Sequence, residues 1–193
     1  VLMIYDEVMT GFGRTGETFA CLRAQTTPDI ICLAKGLTGG FLPLAVTACR
    51  EEIYQAFLGD NFNRALAHGH SFTANPLGCA AALASLKLLK NTHTRAQIQS
   101  IEAIHQEELE KLAGINGISK IRWCGTIAAF DVALSGGYGS PASLQLRERF
   151  LKRGLLIRPL GTTVYLMPPY CISASDLRWV YEIIREEIQG VCL

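Results

Sequence analysis

The sequence predicts an α/β protein in two parts: the end of a larger α/β domain over residues 1–91, then a small α+β domain over 92–193. Three observations predict it. Short apolar runs at Val1–Tyr5, Ile30–Leu33 and Leu44–Ala48 are separated by loops rich in glycine or polar residues, the pattern of strands in a layered α/β protein. A long apolar and alanine-rich stretch, Leu77–Leu89, gives way near Asn91 to a polar, amphipathic composition. From about residue 95 the segments follow the order β-β-α-β-β-α.

Composition agrees with that class. Hydrophobic residues make up 49% of the 193 and charged residues 18%, which suits a well-buried α/β protein and argues against disorder. A formal net charge of +1, with Lys and Arg scattered, gives no electrostatic basis for binding nucleic acid or an anionic membrane. Seven cysteines, an odd number with no C-x-x-C pair, predict neither a disulfide framework nor a zinc site; reduced thiols in a cytoplasmic protein are expected instead. The run at 1–5 is too short for a signal-peptide core or a membrane span. It reads as a buried strand separated from its neighbours, so the chain is expected to be a fragment of a longer polypeptide.

Taken in order, residues 1–5 form a strand, and 6–18, with three glycines and no helical period, form a loop. Ile30–Leu33 and Leu44–Ala48 are the next strands. Asn75 is an N-cap and Pro76 a first-turn residue for a helix through Leu89, apolar on nearly every face and so expected to be buried on most sides. Thr94 and Gln97 have capping-box spacing, and Ile98, Ile101, Leu109 and Leu112 share the face of a helix closed by Gly114. Strands at Ile121–Cys124 and Ile127–Val132 turn at Gly125-Thr126. A helix covers Pro141–Arg153 and stops at Gly154. Leu155–Ile157 and Val164–Met167 are short strands around Gly161. The last helix runs from a Ser173 cap, with Asp176 three residues on, to about Gln189; its apolar face is Leu177, Val180, Ile184 and Ile188.

Several side chains are placed for chemistry. Asp6 follows a strand directly, where ligands of α/β sheets gather. A partly buried carboxylate there needs a partner, although from position alone a loop or cap carboxylate is the plainer account. Lys35 also follows an apolar run, and desolvation there favours the neutral, nucleophilic amine. By itself a snorkelling strand-end lysine is the simpler explanation. His68 and His70 have no carboxylate or cysteine at ligand spacing, so no metal site is expected. Hydroxyls at Ser71 and Thr73, just before a helix start, could contact a phosphate. Arg158, between Ile157 and Pro159, suits bidentate binding of a carboxylate, with a structural ion pair as the alternative.

In this order the motifs resemble the class III (ornithine and ω-amino acid type) aminotransferases. The residues that carry the resemblance are Asp6-Glu7-Val8-Met9-Thr10-Gly11-Phe12-Gly13-Arg14-Thr15-Gly16, then Pro28-Asp29-Ile30 with Lys35-Gly36-Leu37-Thr38-Gly39-Gly40, then the run from His70 to Pro76. The likeness spans essentially the whole chain. It implies a PLP-transferase type I (aspartate aminotransferase-like) fold and pyridoxal 5'-phosphate (PLP) as cofactor. Lys35 would hold the cofactor and move a proton between substrate and cofactor carbons. Asp6 would pair with the pyridine nitrogen, and Val8 would pack on one ring face. Ser71 would donate to the cofactor phosphate of a partner subunit, which implies a homodimer with shared sites.

Two stretches narrow the resemblance: His68–Phe72, and Ile157–Gly161 with Tyr165–Tyr170. They are similar to members that pass an amino group from S-adenosylmethionine to 8-amino-7-oxononanoate in biotin synthesis. Arg158 would then bind the acceptor's carboxylate, with Lys35 and Gly69 also at the substrate. Some members carry Pro-Thr where this chain has His70-Ser71; the hydroxyl survives the change. The alternatives are another class III enzyme, acting on ornithine, acetylornithine or 4-aminobutyrate, and an inactive fragment that serves as an interaction module. The family's phosphate loop and stacking aromatic belong to sequence upstream of these motifs, so the 193-residue chain alone is not expected to be an efficient enzyme.

Overall fold

Three short extended runs build the first sheet. β1 (Ile4–Asp6) pairs in parallel with β2 (Ile30–Leu33), Ile4 opposite Ile30 and Asp6 opposite Cys32, and β3 (Val46–Cys49) lies antiparallel on the other side of β2. Asp29 sets the register where β1 and β2 start and β3 ends. Its carboxylate accepts the Met3 N–H at 2.7 Å and a bond from Arg50 at 2.9 Å, and its carbonyl accepts the Arg50 N–H at 2.9 Å. The Met3 amide, and then the Arg50 guanidinium, hold the Asp29 carboxyl below the usual carboxylate range. In this computed structural model residues 1–190 are described, and the chain divides into two units, Val1–Asn91 and Thr92–Leu193.

Four short elements follow within the first unit: α1 (Ala20–Arg23), a 3₁₀ turn at Lys35–Leu37, α2 (Glu51–Gln55) and a second 3₁₀ turn at Phe62–Arg64. The unit ends in α3 (Pro76–Leu89). Asn75 caps it as expected, its side-chain oxygen accepting the Gly78 N–H at 2.7 Å. The small core consists of Phe12, Leu37 and Ala82, with Phe19, Leu33, Leu44, Leu86 and Leu89 partly buried against it.

Two burial expectations fail here. Val1 to Ile4 are exposed, because β1 is an edge strand and no described element covers its faces. In α3 only Gly78 and Ala82 are buried, while Leu77, Leu83 and Leu88 stay about 70% exposed.

The second unit opens with α4 (Thr92–Leu112), which starts two residues before Thr94, so Thr94 lies inside the helix and not at its cap. Ile98, Ile101, Leu109 and Leu112 are buried along one face, as their spacing predicts. The helix ends at Leu112, just before Gly114, and Gly117 then takes a left-handed conformation, φ 86°, ahead of the next strand. β4 (Ile118–Cys124) and β5 (Ile127–Val132) form a hairpin around Gly125. β4 begins three residues earlier than expected, because a bulge between Ser119 and Arg122 carries the pairing across a polar stretch. α5 (Pro141–Lys152) is capped by Ser140, β6 (Thr163–Leu166) runs antiparallel to β5, and α6 (Ala174–Gln189) is capped by Ser173.

The expected strand at Leu155–Ile157 does not form. The segment alternates, with Leu155, Ile157 and Pro159 buried and Leu156, Arg158 and Leu160 exposed, but it belongs to no ladder. Leu160 and Thr163 instead pair with each other across Gly161. The resulting order, α-β-β-α-β-α, encloses a core centred on Phe130, Phe150, Tyr181 and Ile184. Six cysteines are unpaired thiols and Cys192 lies outside the described residues. No described helix is long and apolar enough to cross a membrane.

Candidate functional site

Parallel pairing of β1 and β2 brings two carboxyl-terminal strand ends side by side. Asp6 ends β1; Lys35 lies two residues beyond Leu33, the last residue of β2. Ligands of open α/β sheets bind at that end of the strands. A cavity of about 1090 Å³ has Lys35 in its wall, together with Thr38, Thr47, His68, His70 and Thr73. Lys35 takes a left-handed conformation, φ 42°, at the start of its 3₁₀ turn. Its carbonyl accepts the N–H groups of Thr38 at 3.3 Å and Gly40 at 3.2 Å, which closes the turn.

Another part of the wall comes from the turn before α3. The His70 N–H donates to Thr73 Oγ1 at 3.0 Å, and the Phe72 N–H donates to His70 Nδ1 at 3.2 Å. These bonds fold residues 70–73 back on themselves. Ser71 and Gly69 are exposed in this turn, but the cavity lining takes their neighbours and not these two residues.

Other expected residues fall outside the cavity. Asp6 is exposed, not partly buried, and its Oδ1 accepts the Val8 N–H at 3.0 Å, closing its own turn. Neither Asp6 nor Val8 lines the cavity with Lys35. Lys35 is itself exposed, so the desolvation expected from the apolar run is not realised within this chain. Arg158 belongs to the second unit and points outward on the alternating segment.

The buried carboxylate beside Asp6 is Glu7, 2% exposed, which motif spacing did not single out. It accepts from Thr10 Oγ1 at 2.9 Å and from the N–H groups of Ala20 and Cys21, both at 2.8 Å. A usable signal was the strand period: Glu7 falls on the same face as Tyr5, whereas Asp6 falls on the other. Burial first, then the Glu7 hydrogen bond, raises the pKa of the Cys21 thiol, so it stays protonated and unreactive.

The donor set fits a phosphorylated aldehyde cofactor. A primary amine, three threonine hydroxyls and two imidazoles surround a space as large as those that hold small-molecule cofactors, about 300–1,000 Å³. Among the described residues no group of three His, Cys, Asp or Glu side chains is placed to hold a metal ion.

Comparison with known proteins adds sequence breadth. The family model described as Aminotransferase class-III matches residues 1–188. An adenosylmethionine-8-amino-7-oxononanoate aminotransferase of Synechococcus elongatus is 52% identical over 191 residues, which is 98% of this chain and 45% of that protein. The protein of the same name from Geobacter sulfurreducens is 37% identical, with 99% of this chain and 44% of its own length covered. A crystal structure of the Methanocaldococcus jannaschii protein of that name superposes with a TM-score of 0.89 at 37% identity, covering 98% of this chain and 46% of that one. The chain thus spans a little under half the length of the relatives it matches.

Proposed function

This chain belongs to the class III aminotransferases, and from that premise we propose that it is the cofactor-lysine segment of an enzyme that transfers an amino group from S-adenosylmethionine to 8-amino-7-oxononanoate. The observation that carries the reading is Lys35. It stands in the wall of a cofactor-sized cavity, within a motif of that family, in a chain 52% identical to a Synechococcus elongatus protein named for this reaction.

PLP, when bound, serves as an electron sink for the carbon that loses or gains the amino group. The chain's own residues do the remaining work. Lys35 would hold the cofactor through its amine, and the same amine, when neutral, could hold and move a proton at the reacting carbon. Asp6, at the tip of the neighbouring strand, would hold a proton on the pyridine nitrogen with its carboxylate, and Val8 would pack on the ring. In the turn at 68–75, Ser71 would donate to a phosphate and Gly69 would lie at the substrate. Arg158 takes the acceptor's carboxylate in bidentate fashion. The working state in this reading is a cytoplasmic homodimer in which Ser71 serves the partner's site; the exposed Leu77, Leu83 and Leu88 of α3 give such a partner an apolar surface. Residues 1–91 are then the end of the large cofactor domain and 92–193 the small domain.

Adding PLP to the protein is expected to produce the absorbance band of a lysine-bound cofactor, and Lys35→Ala is expected to abolish it. Equal spectra from the two proteins would remove the assignment. Comparing 8-amino-7-oxononanoate with 2-oxoglutarate as amino acceptor, in the protein that carries this segment, tests the substrate; preference for 2-oxoglutarate would move the reading to an ornithine or 4-aminobutyrate type of enzyme.

A further inference from the structure

Phe12 occupies a position that its backbone disfavours. Its φ is 60°, in the left-handed region that bulky side chains seldom adopt, yet the residue is only 5% exposed. What it buries against is Gly36, the residue after Lys35. A Cβ built on Gly36 would lie 2.8 Å from Phe12 Cβ, 3.0 Å from Cδ2 and 3.1 Å from Cγ, so glycine is required there for the ring to seat. From another element, the Ser85 hydroxyl of α3 donates to the Gly36 carbonyl at 3.0 Å. The peptide that follows Lys35 is thus gripped by a ring and by a hydroxyl.

The ring is itself fixed. Phe19 meets it edge to face, centroids 5.6 Å apart. Phe19 precedes Ala20 and Cys21, whose N–H groups both bind the buried Glu7 carboxylate at 2.8 Å. Gly11, the residue before Phe12, donates its N–H to the Glu7 carbonyl at 3.0 Å, and a Cβ there would lie 2.9 Å from that same oxygen. The loop between residues 7 and 21 is therefore tied at Glu7, next to Asp6, and its far side presses on Gly36.

We propose that Phe12 is a positioning residue for Lys35: its ring, seated on Gly36 and anchored through the Glu7 knot, holds the left-handed backbone that directs the Lys35 amine into the cavity. A left-handed lysine persists only where its surroundings over-determine it, and this contact supplies the constraint. It also couples the lysine to the strand that ends in Asp6. The inference rests on Lys35 being the cofactor lysine.

The test is the rate of capture. The full chain is mixed with PLP, reduced with borohydride at set times, and digested; peptide masses then report labelling at Lys35 and, as internal controls, at the exposed Lys87 and Lys90. In the unsubstituted chain Lys35 is expected to label fastest. Phe12→Met keeps an apolar side chain of similar bulk but removes the flat ring. It is expected to slow Lys35 roughly tenfold while leaving Lys87 and Lys90 unchanged, and Phe12→Tyr is expected to restore the rate. Gly36→Ala, which displaces the ring from the other side, is expected to act like Phe12→Met. Unchanged labelling of Lys35 in both Phe12→Met and Gly36→Ala would overturn the positioning role and leave the proposed function standing. A loss shared equally by all three lysines and not repaired by Phe12→Tyr would overturn it too, since that is damage to the fold. No preference for Lys35 in the unsubstituted chain would bring down the proposed function and this inference with it.

Discussion

Glu7 shows what a single buried charge demands. Its oxygens accept from the Thr10 hydroxyl, from two backbone amides and from the Cys21 thiol, donors that an amide side chain could satisfy only in part. Glu7→Gln would turn an NH₂ toward at least one of those donors, so a loss of about 1–3 kcal/mol in urea unfolding is expected; a change of a few tenths would mean the knot carries little. A second residue-scale expectation concerns His105, fully buried between Tyr181 and the Thr126 carbonyl. The Tyr181 hydroxyl, kept protonated by burial and then by the charge of Glu108, lies 2.7 Å from Nδ1 and donates to it; Nε2–H then donates to the Thr126 carbonyl at 3.2 Å. Burial lowers the His105 pKa to about 4, against the upward pull of the Thr126 carbonyl and the Glu102 carboxylate. The unfolded chain, with its histidine near 6.5, therefore binds a proton in the window from 6.5 to 4 that the folded chain refuses. Stability is whole above that window and falls as pH drops through it, by about 3 kcal/mol in all. Unfolding free energies measured across the window should carry this slope in the native chain and lose it in His105→Gln. At this scale a motif could single out Lys35, which lines the cavity, because a motif fixes a residue by its neighbours. It pointed to Asp6 and not Glu7 as the buried acid, because the donors at Ala20 and Cys21 arrive from thirteen and fourteen residues away.

Elements were legible where their signals are local. The starts of α3, α5 and α6 fall at Asn75-Pro76, Ser140-Pro141 and Ser173, since a cap acts within one turn. Strand limits were less legible, because a strand exists only through its partner. Leu155–Ile157 has the period of a strand and no ladder, and β4 extends past its apolar part through a bulge that β5 accommodates. The cap at Asn75 also bears on the site, since the turn at 70–75 runs straight into it. Asn75→Ala is expected to cost about 1 kcal/mol of stability, and Asn75→Asp, which keeps the acceptor for the Gly78 N–H, much less. If thermal or urea unfolding finds the two variants equal, the helix start is held by Pro76 and packing instead.

The two units are built to different strengths, and this shapes what the chain can do by itself. Among the described residues, eighteen buried apolar side chains form the core of the second unit, drawn from α4, β5, α5, β6 and α6 and from Leu155 and Ile157 of the irregular segment between α5 and β6. The core of Val1–Asn91 has three, and its large apolar side chains, among them Phe41, Phe62, Phe72, Leu77 and Leu83, are mostly exposed. Burial of apolar surface is the main favourable term in folding, about 25 cal/mol per Å², so the second unit should hold its structure where the first opens readily. Composition could not reveal this asymmetry, because it averages over both units and counts an apolar residue the same whether it is covered or not. Hydrogen exchange followed by mass spectrometry on the whole chain should find slow amides in α4, β5 and α6 and fast ones in β1, β2 and β3. The proposed site lies in the weaker unit, at the end of the sheet expected to exchange fastest. Two outcomes follow: the 193-residue chain alone turns over substrate poorly, and added PLP slows exchange in β1 and β2 by mass action without touching α4 or α6. Uniform protection across both units before PLP is added would contradict the asymmetry, and protection by PLP confined to Thr92–Leu193 would place the cofactor away from Lys35.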